Sequence, residues 1–243
     1  MGMERRQAAE KSGMNTKTRA FVFATIALGT CLVAYCAARE AAAGLSGAYL
    51  ACVAMAMIAS AFKVRLPGVH GTLSVSFLFI LAAIALFGFE ETVLLASTAA
   101  IVQCLWRSRT RAKLLQVAFN VAVLAISSGA AFRLAHFFGD APSANLAVLM
   151  TLAACFYFTA DTLLISGVLS LVQGKSLFIV WQQCYLWSFP YYLAGAALAA
   201  LMVQTNRSAG GLLSLVVLVP MGLIYAFYRL CALRAEKSLA LAQ

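Results

Sequence analysis

The chain has 243 residues, of which 63% are hydrophobic and only 11% charged, with a mean hydropathy of +0.91. Soluble domains are about 45–50% apolar and about 25% charged, so this composition excludes an ordinary water-soluble domain and fits one membrane domain. The net charge of +10 falls almost wholly between apolar runs, which is the positive-inside pattern and argues against a nucleic-acid-binding surface.

The first 19 residues, MGMERRQAAEKSGMNTKTR, are basic, but the apolar run behind them leads into another without a credible small-residue cleavage site. They read as a cytoplasmic tail (residues 1–19). Arg6 stands where a myristoylation signal needs Ser or Thr.

A helix needs about 20 apolar residues to cross the hydrocarbon. In chain order, the runs Ala20–Ala38, Ala41–Phe62, Leu73–Gly88, Thr92–Trp106, Leu114–Phe137, Asn145–Val172, Ser188–Gln204 and Leu212–Tyr228 predict eight spans, the third, fourth and seventh being short. The expected fold is an all-α polytopic membrane helix bundle over residues 20–228. With the N-terminus inside, eight spans leave only Arg39, Arg133 and Arg207 of the 18 Lys and Arg residues outside, beside Glu40, Glu90, Glu91 and Asp140. Seven spans would put the basic C-terminal group outside. Both termini are therefore expected in the cytoplasm, with residues 229–243 as a helical linker.

Two places break the pattern. In KVRLPGVHGTLSVSF, Pro67, Gly68 and Gly71 punctuate the chain. The segment reads as a cytoplasmic turn feeding the third span, with a partly re-entrant loop as the alternative, and His70 reads as a loop histidine. In KSLFIVWQQCYLWSF, Trp181, Tyr185 and Trp187 favour the headgroup level, and Gln182–Gln183 would be costly in lipid. It reads as a short interfacial helix broken at Pro190, with one long kinked seventh span as the alternative.

At about 1.5 Å per residue, Gln103, Gln116, Asn120, Ser74, Ser76, Tyr191 and Tyr192 fall in the inner third of the bilayer. Asp161 falls deeper, near the midplane, level with Ser127 and Ser128. Polar groups at one level can form interhelical hydrogen bonds worth about 0.6–2 kcal/mol each, and the small residues Gly44, Gly47 and Ala194 to Ala197 suit close helix approach. An ionised carboxylate at the midplane costs at least about 2.5–3.5 kcal/mol, so Asp161 has to be paired, hydrated or protonated. The one basic residue in a span, Arg133, is near an outer end and snorkels outward. Asp161 is accordingly expected neutral, hydrogen-bonded or facing a cavity. With Asn120, Gln103, Gln116, Ser127, Ser128, Tyr191 and Tyr192 it makes up the candidate ligand-binding polar core.

Other chemistry is missing. The seven cysteines show no CxxC or Cys/His metal spacing and read as small buried hydrophobes. No GxSxG, HExxH, P-loop or GxGxxG motif occurs in a suitable context. Asp161 is the only acidic residue within a span, so an aspartyl-protease pair cannot form. Enzyme activity, a cofactor and a metal are not expected.

The pieces FKVRLPGVHGTLSVSFLFILAAIALFG, LLQVAFNVAVLAISSGAAF and GKSLFIVWQQCYLWSFPYYLAGAALAAL resemble the multi-pass N-terminal membrane region of bacterial signalling proteins that carry a cytoplasmic HD-GYP or GGDEF output domain. The likeness covers residues 50–235, and YRLCALRAEKSLALAQ resembles the start of the linker to such a domain. It implies a sensory or anchoring module in a bacterial inner membrane, acting as a homodimer or through a cytoplasmic signalling partner. The chain stops at Gln243, where the output domain would begin, so cyclic-di-GMP chemistry is expected outside it. The expected function is to bind a small or lipidic ligand between helices and signal through the C-terminal helix. Alternatives are a small-solute transporter or uptake-system substrate-binding subunit, with Asp161 and Asn120 lining the site, or a membrane anchor for a partner protein.

Overall fold

The computed structural model describes residues 15–60, 63–65, 72–106, 114–139 and 145–209. The helices are α1 (Thr16–Ala43), α2 (Gly47–Ser60), α3 (Phe77–Leu86), α4 (Phe89–Leu105), α5 (Leu114–Gly139), α6 (Leu146–Gln173), α7 (Leu177–Cys184) and α8 (Phe189–Ala209), with a 3-10 turn at Leu186–Ser188. Each of the first seven expected spans has its helix. The eighth, Leu212–Tyr228, lies outside the described residues, as do His70 and the segment 229–243.

Among the described residues, three helices are long and apolar enough to cross a membrane: Thr16–Ala42, Leu114–Gly139 and Leu146–Gln173. Their outward residues are apolar too; Phe23, Leu28, Tyr35, Leu134 and Phe137 are all exposed. A helix that is hydrophobic all round is one whose surroundings are not water.

The described architecture is all-helical apart from one short hairpin. Between α2 and α3, β1 (Lys63–Arg65) and β2 (Thr72–Ser74) pair antiparallel, Val64 opposite Leu73. Proline and glycine between them in sequence disfavour helix, and Val64 and Thr72 are β-branched. The pairing takes Leu73 and Ser74 out of the expected third span. What remains, α3, is 10 residues long, about 15 Å, or half of a hydrocarbon core. It is nevertheless the centre of the fold. Phe77 to Ile84 are all buried, and α2, α4, α5, α6 and α8 all pack against α3.

Contacts between helix ends give the directions. Arg39 near the end of α1 reaches Glu90 at the start of α4, and the Tyr49 hydroxyl at the start of α2 donates to the Glu91 carbonyl. His136 near the end of α5 bonds the Ile84 carbonyl near the end of α3. Gly139 at the end of α5 packs on Leu149 at the start of α6. Successive helices α1 to α6 therefore alternate in direction. The end that gathers Arg39, Glu90, Glu91 and Arg133 is the one the charge pattern placed outside.

Close helix approach uses Gly195, from the expected small-residue run, and Gly29, which was not among those expected. A Cβ on Gly29 would overlap the backbone of Ala122, so α1 and α5 meet nearly backbone to backbone, and a Cβ on Gly195 would overlap the Phe77 ring. Gly44 and Gly47 have nothing within 4 Å of a Cβ. Gly44 instead closes α1 at φ +82°, where its N–H reaches the Glu40 carbonyl, a conformation that favours glycine.

Candidate functional site

The site is built on α6. Asn145 caps this helix, its side chain accepting from the Val148 N–H at 3.0 Å. The buried positions on α6 are Met150, Ala153, Ala154, Tyr157, Phe158, Asp161, Thr162, Ser166 and Gly167. Spacings of three and four place them on one stripe that faces the bundle. Asp161 thus faces neighbouring helices rather than lipid, and only 8% of it is exposed.

Its surroundings are aromatic. The Tyr192 side chain of α8 lies beside the Asp161 carboxyl. Tyr157, one turn before Asp161, lies close enough to feel its charge, as does Tyr192. Phe158 packs edge-on against Tyr192 at 5.1 Å and against Phe189 at 5.1 Å between centroids. Phe77, at the start of α3, meets Tyr191 at 5.0 Å and Tyr192 at 5.1 Å. Among the described residues no Lys or Arg forms an ion pair with Asp161. Arg133 instead lies over the Phe89 ring at 4.3 Å, at the end that holds Arg39 and Glu90. Asp161 Oδ1 has no hydrogen-bond partner, and neither have the buried hydroxyls of Ser127, Ser166 and Thr18.

On the flank, the Trp181 indole N–H of α7 donates to Thr162 Oγ1 at 2.8 Å. That hydroxyl donates in turn to the Phe158 carbonyl at 2.6 Å. Thr162 is 11 residues from the end of α6 at Gln173, or about 16 Å along the axis. An α7 lying flat across that end would not bring Trp181 to Thr162. The helix leans back along α6, with Val180 buried and Leu177, Phe178 and Ile179 facing outward. The short separate helix matches the reading of this segment, but the break falls at Tyr185 to Ser188. Pro190 stands in the first turn of α8, where its missing N–H costs nothing.

The residues expected to form one polar core divide into groups. Asp161 and Tyr192 come together, although the sequence placed the tyrosine nearer the inner edge, while Tyr191 packs against Phe77. Ser127 and Ser128 are fully buried on α5. Gly139 touches Leu149, and Ser127 and Asp161 each lie 12 residues beyond that contact, so the two are level. Asn120 belongs elsewhere: its side chain donates to Cys104 Sγ at 3.3 Å, tying α5 to α4. Gln103 is half-buried near that contact and Gln116 is exposed. Asn120 is turned toward α4 by that bond, and among the described residues no hydrogen bond joins Asn120, Gln103 or Gln116 to Asp161. Sequence reasoning missed Tyr157, Thr162 and the inward role of Trp181. The i−4 spacing of Tyr157 from Asp161 was the available signal. A groove of about 440 Å³ along Phe132, Arg133, Leu134, His136 and Phe137 is open and formed by α5 alone.

The fold and site define a helical membrane protein with a buried carboxyl in an aromatic setting. No protein-family model, curated protein or solved structure matches the chain.

Proposed function

We propose that this chain is a multi-pass protein of a bacterial inner membrane, with eight spans and both termini cytoplasmic. Its bundle is a non-enzymatic, sensor-like module that binds a small or lipidic ligand at Asp161 and signals through the C-terminal helix to a cytoplasmic partner or within a homodimer. The observation that carries the reading is the unpartnered Oδ1 of Asp161, buried among Tyr157, Phe158 and Tyr192. A buried polar atom without a partner costs about 1–3 kcal/mol. Ionisable groups kept at such cost inside membrane helices mark functional sites.

A second reading, a solute transporter, is favoured by α3. This short, buried helix follows a non-helical hairpin, and its first turn meets the tyrosines beside Asp161. Broken helices whose ends face a site at mid-depth are a transporter device. Proteoliposomes separate the two readings. Saturable binding without flux is the expected result, whereas solute uptake abolished in Asp161→Ala would establish transport.

A further inference from the structure

We infer that the ligand of the Asp161 site is a small organic ammonium, a protonated amine that enters along the seam between α6 and α7. The inference rests on the ligand-binding reading above and adds the chemistry of the ligand.

Three features of the site select this class. Asp161 Oδ1 lacks a donor, which an ammonium N–H supplies. No described basic side chain pairs with the Asp161 carboxyl, so any cation that ionises it has to come with the ligand. The surrounding groups are mostly rings, those of Tyr157, Phe158, Trp181 and Tyr192, and ring faces attract cations.

Other classes meet fewer of these demands. An anion finds no described basic side chain to pair with. A neutral alcohol can satisfy Oδ1 but gains nothing from the surrounding rings as a cation does. A divalent metal ion needs several oxygen or nitrogen ligands, and among the described residues no three His, Cys, Asp or Glu stand together.

Access follows from the packing. The side chains around Asp161 on α6 and α8 are almost sealed, Tyr157, Phe158 and Tyr192 being 2–3% exposed. On the α7 side the closure is an eight-residue helix held by the Trp181–Thr162 hydrogen bond and the ring contact of Trp181 with Phe158. That is the part of the wall that a small solute can displace.

The test uses the full chain in lipid nanodiscs, with Trp106→Phe and Trp187→Phe leaving Trp181 as the sole tryptophan of the three. Propylammonium, 1-propanol and propionate, three solutes with the same carbon skeleton and different charge, are titrated while Trp181 emission is followed. A saturable change with propylammonium alone, weakened at least tenfold in Asp161→Asn, is expected. An equal response to 1-propanol or propionate overturns the amine class, and so does an unchanged response in Asp161→Asn. Should the variant not fold, the comparison of the three solutes on the unsubstituted site still decides the class. A 1-propanol or propionate response that Asp161→Asn removes sinks the amine class and leaves ligand binding standing. No response to any solute, with no small molecule or lipid retained in native mass spectrometry, sinks both.

Discussion

Trp181 Nε1 lies 2.8 Å from Thr162 Oγ1, so one hydrogen bond ties the short helix α7 to α6 at the residue next to Asp161. The hydroxyl is used twice, since it also donates to the Phe158 carbonyl. A segment whose composition suits the headgroup level is thereby coupled to the most deeply buried carboxyl described.

That coupling is measurable. Trp181→Phe keeps most of the ring contact and removes the donor, and Thr162→Val keeps the volume and removes the acceptor. Each is expected to lower stability by about 0.5–1.5 kcal/mol. The double variant should fall short of the sum by about 1 kcal/mol in a double-mutant cycle, read by denaturant unfolding in mixed micelles. Strict additivity would show that the two side chains act independently.

Asp161 is expected to be dispensable for stability. Removing one member of a buried ion pair costs about 3–5 kcal/mol because the partner is left charged. No described cation would be left behind here. Asp161→Asn keeps the side chain's size and adds donors near the unpartnered position. Its unfolding midpoint should equal or exceed that of the natural chain. A loss of 3 kcal/mol or more, on the scale of a broken buried pair, would mean that a cation stands against the carboxylate.

The glycines make a contrasting pair. Gly29→Ala forces a methyl into the Ala122 backbone, which cannot swing away as a side chain can. We expect a loss of about 1–3 kcal/mol. Gly47→Ala meets open space and should stay within about 0.5 kcal/mol of the natural chain. Thermal unfolding of both variants in one detergent gives the comparison.

Sidedness is tested by labelling. On a cysteine-free background, Glu90→Cys at the start of α4 should react with a membrane-impermeant maleimide in intact cells. Lys175→Cys, at the turn between α6 and α7, should react only after permeabilisation. The reverse pattern would invert the proposed orientation.

Much of the architecture follows from composition alone. Lipid-like hydropathy over runs of 15 to 28 residues leaves helix as the only conformation that satisfies its own backbone, so the span from Leu114 and the span around Asp161 are legible within a few residues of α5 and α6. The burial of Asp161 is equally legible, because its neighbours in FYFTADTLLI would not tolerate a charge turned to lipid.

Tertiary structure alone decided which polar groups meet. Asn120 and Asp161 look alike as lone polar residues in apolar helices, yet one is tied to Cys104 on α4 and the other lies beside Tyr192 on α8. Whether a given glycine touches a neighbour was decided the same way: of Gly44, Gly47 and Gly195, which the sequence marks for close approach, only Gly195 touches a neighbour, and Gly29 joins it. Hydropathy is a property of a segment. A contact depends on how two helices are rotated against each other, and that rotation is set by side-chain volumes far apart in the chain, such as Phe77 against Gly195.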